Sequence, residues 1–173
     1  MKNVLIVIDM QNDFIDGSLG TKEAQAIVPK VIEKIKNAKE NGETVIYTRD
    51  THESDYLQTQ EGRLLPVTHC IRGTNGWQIP EAIRPHSDAD DVIDKPSFGY
   101  TGWMDVIDAS CGAITLIGLC TDICVVSNAL ILKALFPEVP VAVDAACCAG
   151  VTPEKHLAAL ETMRSCQIQV INA

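Results

Sequence analysis

Positive charge is scarce in this chain: 14 lysines and arginines stand against 23 aspartates and glutamates, for a formal net charge of −9. That imbalance excludes nucleic acid and anionic membranes as partners, because both carry charge of the same sign. Long apolar runs are missing as well. The N-terminal run, Val4 to Ile8, is too short to cross a bilayer, and no small-residue cleavage site follows it. There is no G-x-G-x-x-G opening a helix and no G-x-x-x-x-G-K-[ST], which argues against dinucleotide and P-loop chemistry. A G-x-S-x-G elbow is absent too. So are internal repeats, linkers and low-complexity segments, and residues 1–173 read as a single domain. Small molecules and proteins remain as partners.

What is present suits a soluble globular protein: 46% hydrophobic and 21% charged residues over 173 positions, enough for one real core. The seven cysteines are odd in number and lack the spacing of a secreted disulfide framework. With no export signal, the expectation is a reducing cytoplasm and free thiols, most of them packed in the core.

Short Val- and Ile-rich runs alternate with helical periodicity. Strands are expected at Val4 to Ile8, Thr44 to Thr48, Asp91 to Ile93, Gly112 to Ile117, Val139 to Val143 and Ile168 to Ile171. Helices are expected from about Glu23 to Glu40, stopped by Asn41-Gly42, from near Asp122 through Leu135, and from Pro153 to Ser165 with Thr152 as cap. This alternation implies α/β architecture, with a mainly parallel sheet of about six strands between two helical layers. Residues 49–89 differ. They are polar and irregular and hold three of the four histidines, the signature of a functional loop.

In open parallel sheets, ligands bind beyond the carboxyl ends of the strands. Asp9 follows the first expected strand, Asp50 the second, Lys95 the third, and Cys120 and Cys124 the fourth. Asp9 lacks the second aspartate of an aspartyl-phosphate phosphatase, and neither cysteine precedes the arginine of a phosphate-binding thiol loop. For "CTDIC" itself, two packing thiols are the commoner outcome, and a zinc half-site lacks a second suitable pair nearby. Position at a helix start, with Lys95 on the adjacent loop, favours a thiolate instead, and Asp9 is placed to take and return its proton.

Asp9 in "IDMQNDF", Lys95 in "DKPSFG" and Cys124 in "GLCTDICV" resemble, in order and spacing over nearly the whole chain, the isochorismatase-like cysteine hydrolases, above all the nicotinamidases. The resemblance implies a nucleophilic Cys124, Asp9 as general base and acid, and Lys95 steadying both. It implies a thioester acyl-enzyme formed from an amide with loss of ammonia. It also implies a cis bond at Leu119–Cys120, aiming the N–H groups of Cys120 and Cys124 at the developing oxyanion.

The loop "RDTHESDYLQTQEGRLLPVTHC" carries Asp50, His52, Glu61 and His69. On residue types alone, a solvated loop is the commoner outcome. The resemblance turns these residues into ligands for a divalent metal, zinc first, with iron or manganese as alternatives. Such a metal would anchor the pyridine nitrogen of nicotinamide. Phe14, Leu65, Phe98 and Tyr100 are the candidate substrate wall. Two positions depart from the family pattern: Thr51 and Leu65 stand where aromatic residues are usual, so a pyridine ring would lose a stacking wall. His86 and His156 match nothing in the pattern and read as surface residues. The family further implies homo-oligomers and a role in nicotinamide salvage. Competing readings are a related hydrolase of carbamoyl compounds or ureides, a vinyl-ether-cleaving relative, and a non-enzymatic binding module with an acidic pocket.

Overall fold

Val4–Ile8 (VLIVI, β1) is buried at every position, as a strand covered on both faces must be. The computed structural model describes residues 1–85 and 92–173. In it β1 lies inside a six-stranded sheet of order β3-β2-β1-β4-β5-β6. The other strands are β2 (Thr44–Asp50), β3 (Val92–Lys95), β4 (Ile114–Leu119), β5 (Val141–Ala149) and β6 (Gln169–Ile171). Every pairing is parallel, with Val4 against both Thr44 and Ile114.

Alternate side chains of β1 serve two different cores. Leu5 and Val7 pack with Ile27, Val31 and Ile35 of the helix α2 (Lys22–Glu40), which follows a short α1 (Asn12–Ile15). Ile6 and Ile8 pack on the other face with Ala129 and Leu132 of α4 (Val126–Leu135) and Leu160 and Met163 of α5 (Pro153–Ser165). This is the expected three-layer arrangement. Each such aliphatic side chain contributes roughly 1.5–3 kcal/mol by leaving water. The caps follow the sequence: Thr21 accepts from the Ala24 N–H, and Thr152 from that of Lys155. Gly42, at φ +71°, ends the turn after α2.

Some boundaries move. β5 runs on to Ala149 through Ala145, Ala146, Cys147 and Cys148, whose small side chains carry no β-branched signature but fit between two crowded layers. The polar loop contains a short helix, α3 (Gln60–Leu64), and a bridge pairing His52 with Ile71. Asp91 and His86 fall outside the described residues. A turn of π-helix, Thr121–Val125, precedes α4, where a plain helix start was expected. No helix among the described residues is long and apolar enough to cross a membrane.

Candidate active site

The carboxyl ends of β1, β2, β3 and β4 stand side by side, so Asp9, Asp50, Lys95 and the π-turn bearing Cys124 meet at one edge. Gly118 allows this approach: at φ +118°, a Cβ there would overlap the Ile8 carbonyl oxygen. The Leu119–Cys120 peptide that follows is cis. Asp9 itself sits at φ +46°, held by its N–H donating to Thr48 Oγ1 (3.2 Å) while the Thr48 hydroxyl donates to Asp9 Oδ1 (2.6 Å).

Lys95 is wholly buried. Its Nζ lies 2.6 Å from Asp9 Oδ2 and 3.4 Å from Cys124 Sγ, and donates to the Ser97 carbonyl at 3.0 Å. Burial alone would discharge the ammonium, but the charges of Asp9, Cys124 and Asp50 outweigh it and hold its pKa well above the usual value. Asp9 moves up, chiefly through burial, although Lys95 opposes the shift. The Cys124 thiol is also pushed far up, by burial first and the Asp9 charge second, with Lys95 opposing. Desolvation therefore opposes the charge that the helix start and Lys95 would favour on sulfur. A proton passing from Cys124 to Asp9 would leave the net charge beside Lys95 unchanged.

A second cluster adjoins the first. Asp50, His52, Glu61 and His69 each offer a ligand atom, all within 4.8 Å of one another. His52 Nε2 is 3.0 Å from Asp50 Oδ2 and 3.6 Å from Glu61 Oε1, and His69 Nε2 is 3.6 Å from Asp50 Oδ2. His69 Nδ1 donates to the Val67 carbonyl (2.8 Å), which turns Nε2 toward the cluster. Gln11 braces Asp50 from beneath: its amide accepts from the Asp50 N–H (2.7 Å) and donates to the Asp50 carbonyl (2.8 Å). Burial would raise the Asp50 carboxyl, but hydrogen bonds with both histidines and the Lys95 charge hold it well below the usual range. Glu61 is pushed up, by burial and then by Asp50. Asp50 Oδ1 is buried without a hydrogen-bond partner, with Lys95 Nζ at 3.6 Å. Two imidazole nitrogens and two carboxylates, one with an unmet oxygen, fit a borderline divalent cation.

Both clusters open into one cavity of about 260 Å³. Phe14, Leu65 and Phe98 line it, together with the Cys120 thiol, which burial pushes up to about 12. Tyr100 does not. It packs edge-on against Trp103 (5.2 Å between centroids) in the core beneath α4, a correction to the expected wall. Leu19, Thr21, Ile123, Val151 and Lys155 complete the lining. Sequence reasoning missed these five, because nothing in their types separates cavity lining from surface. It also missed Gln11 and Thr48, whose signal was a polar residue within or beside a buried strand. His156, expected at the surface, is half-buried with Nδ1 2.8 Å from Thr121 Oγ1.

Comparison with known proteins identifies the family and the fold. Residues 3–173 match the isochorismatase domain model. The nicotinamidase/pyrazinamidase PncA of Bacillus subtilis superposes with a TM-score of 0.85 at 28% identity, over 98% of this chain and 99% of that one. The pyrazinamidase of Pyrococcus horikoshii, solved in complex with zinc, gives a TM-score of 0.81 at 29% identity, with both chains fully covered. An Arabidopsis thaliana relative named as a probable inactive nicotinamidase is 30% identical over 93% of this chain and 87% of its own length. The N-carbamoylsarcosine amidase of Thermoplasma acidophilum superposes at 0.79 with 29% identity, over 98% and 95% of the chains. With the domain match spanning nearly every residue and an acid, a lysine and a thiol meeting at the strand ends, the chain belongs to the isochorismatase family of hydrolases.

Proposed function

We propose that this chain is an amidohydrolase that converts nicotinamide to nicotinate and ammonia through a thioester on Cys124. The observation that supports this most is that Cys124 and three of the clustered ligands, Asp50, Glu61 and His69, line the same small cavity, which would hold a ring and its carboxamide at once. The likeness to nicotinamidase and pyrazinamidase structures supports it further.

Cys124 Sγ gives its proton to Asp9 and bonds to the amide carbon, and the carbonyl electrons move onto oxygen between the N–H groups of Cys120 and Cys124. Asp9 then passes the proton to the leaving nitrogen as the C–N bond breaks, and ammonia departs. Water attacks the thioester and yields a proton to Asp9. The C–S bond breaks, the proton returns to sulfur, and the acid is released. Lys95 stays charged throughout and offsets whichever of Asp9 or Cys124 is negative. Asp50, His52, Glu61 and His69 would hold a divalent metal, which supplies a Lewis acid for the ring nitrogen and so orients the substrate.

A second reading, hydrolysis of a non-aromatic carbamoyl compound, is favoured by Leu65 at a place where a ring would need a flat partner. The test is ammonia release from nicotinamide beside a panel of carbamoyl compounds, with Cys124→Ala as control. Release from nicotinamide that is lost in the control supports the first reading. Release only from the carbamoyl panel selects the second, and release from neither sinks both.

A further inference from the structure

The π-turn that carries Cys124 is tied down from outside the triad. Thr121, wholly buried, places Oγ1 2.8 Å from His156 Nδ1, one hydrogen bond whose proton either the hydroxyl or the ring supplies. One residue on, Asp122 Oδ1 accepts from the Val151 N–H at 2.9 Å. The first tie reaches the opening turn of α5, and the second the segment joining β5 to α5. They can do so because Leu119 pairs with Ala149 at the strand ends, and because a Cβ on Gly150 would crowd both the His156 N–H (2.8 Å) and Asp122 Oδ1 (2.9 Å). His156 is in turn fixed by its own N–H donating to the Thr152 carbonyl at the helix start. Burial holds the imidazole below its usual pKa, with Asp122 opposing, which favours a neutral ring facing the hydroxyl.

The tie sits between two things the reaction needs held still. Thr121 directly follows Cys120, whose N–H the proposed mechanism uses, and begins the turn that ends past Cys124. Asn128 closes the other side of that turn, its amide donating to the Cys124 carbonyl at 2.8 Å. With Asn128 bracing the far side, rotation of the turn is restrained on the Cys120 side chiefly by Thr121 and Asp122.

We infer that His156 is a positioning residue: through Thr121 it sets the angle at which the turn presents Cys124 Sγ to Asp9 and to the amide carbon. It touches neither substrate nor reacting atoms. The inference rests on Cys124 being the nucleophile, and not on nicotinamide being the substrate.

The experiment measures two rates in the metal-loaded protein: turnover, and alkylation of Cys124 by iodoacetamide, followed by peptide mass so that the other thiols do not interfere. Asparagine carries a polar atom where histidine has Nδ1, whereas glutamine carries one where histidine has Nε2. The expectation is that His156→Ala and His156→Gln lose about tenfold to a hundredfold in kcat and in alkylation rate, the scale of a small misplacement of a reacting group. KM should hold, and His156→Asn should recover most of both rates. Thr121→Val should reproduce His156→Ala, and the double variant should be no worse than either single one, because both remove the same tie. Wild-type alkylation rates in the alanine and glutamine variants overturn the inference. So does an equal loss in the asparagine variant, or additive losses in the double variant. If His156→Ala does not fold, the asparagine–glutamine and threonine–valine contrasts decide alone. Failure of turnover on nicotinamide with a normal pattern of alkylation would count against the substrate, and leave the tie standing.

Discussion

The triad and the four-ligand cluster share an edge of the sheet, yet they are built in opposite ways. Asp9 and Lys95 sit at strand ends and Cys124 in the turn after one, and all three are hidden from solvent with their charges balanced internally. In the cluster only Asp50 ends a strand. His52 follows it, Glu61 comes from α3 and His69 from irregular chain, and the Glu61 side chain remains 23% exposed. The first region is complete as protein. In the second, acids are gathered close enough to perturb one another, which a bound cation would relieve. Under the proposed function the chemistry would be a property of the sheet, and substrate orientation a property of the loop, where specificity can change without touching the reaction.

Breaking the triad should have the larger consequences. Lys95→Met leaves Asp9 buried without its counter-charge, and should cost about 3–5 kcal/mol in urea unfolding together with nearly all turnover. Asp9→Asn keeps the shape but removes both the proton carrier and the nearest counter-charge of Lys95, and should lower kcat by about a hundredfold to ten-thousandfold with a loss of urea stability as well. Stripping metal with a chelator should lower turnover of a ring amide by about tenfold to a hundredfold, restored by zinc, while Cys124 alkylation stays unchanged. A fall in alkylation on chelation would erase the distinction between the two regions.

The metal-free protein offers a subtler test. The Asp50 carboxyl titrates below its ordinary value of 3.8 in the folded state, so its contribution is present above that pH and lost as pH falls through the lower folded value. Asp50→Asn should therefore flatten the acid limb of stability below about pH 3.8, a difference on the order of 2 kcal/mol in chemical unfolding. Smallest of all, Leu65→Trp should tighten KM for nicotinamide by about threefold with kcat unchanged, as a stacking partner would.

Much of this was legible because strand ends announce themselves. An apolar run followed by one acid, as at Asp9, combines a periodicity with a break in it. Lys95 and Cys124 were legible for the same reason, and family resemblance supplied their roles. Tyr100 misled because an aromatic residue near a site looks the same in sequence whether it faces the cavity or, as here, Trp103. The burial of Cys124 was not legible, because sequence shows neighbours along the chain but not the degree of burial. The Thr121–His156 tie was invisible for a third reason: its partners lie 35 residues apart on different elements, with no periodicity to pair them.

The strand order has a consequence for how the chain becomes active. Asp9, Lys95 and Cys124 are brought together only when β1, β2, β3 and β4 have all paired in parallel, across separations that make such sheets slow to assemble. Until then, Cys124 is an ordinary thiol with neither base nor counter-charge, and afterwards it is a shielded one with both. A fragment ending before β4 lacks Cys124, so under the proposed function the appearance of turnover on refolding would time the closure of the sheet's centre.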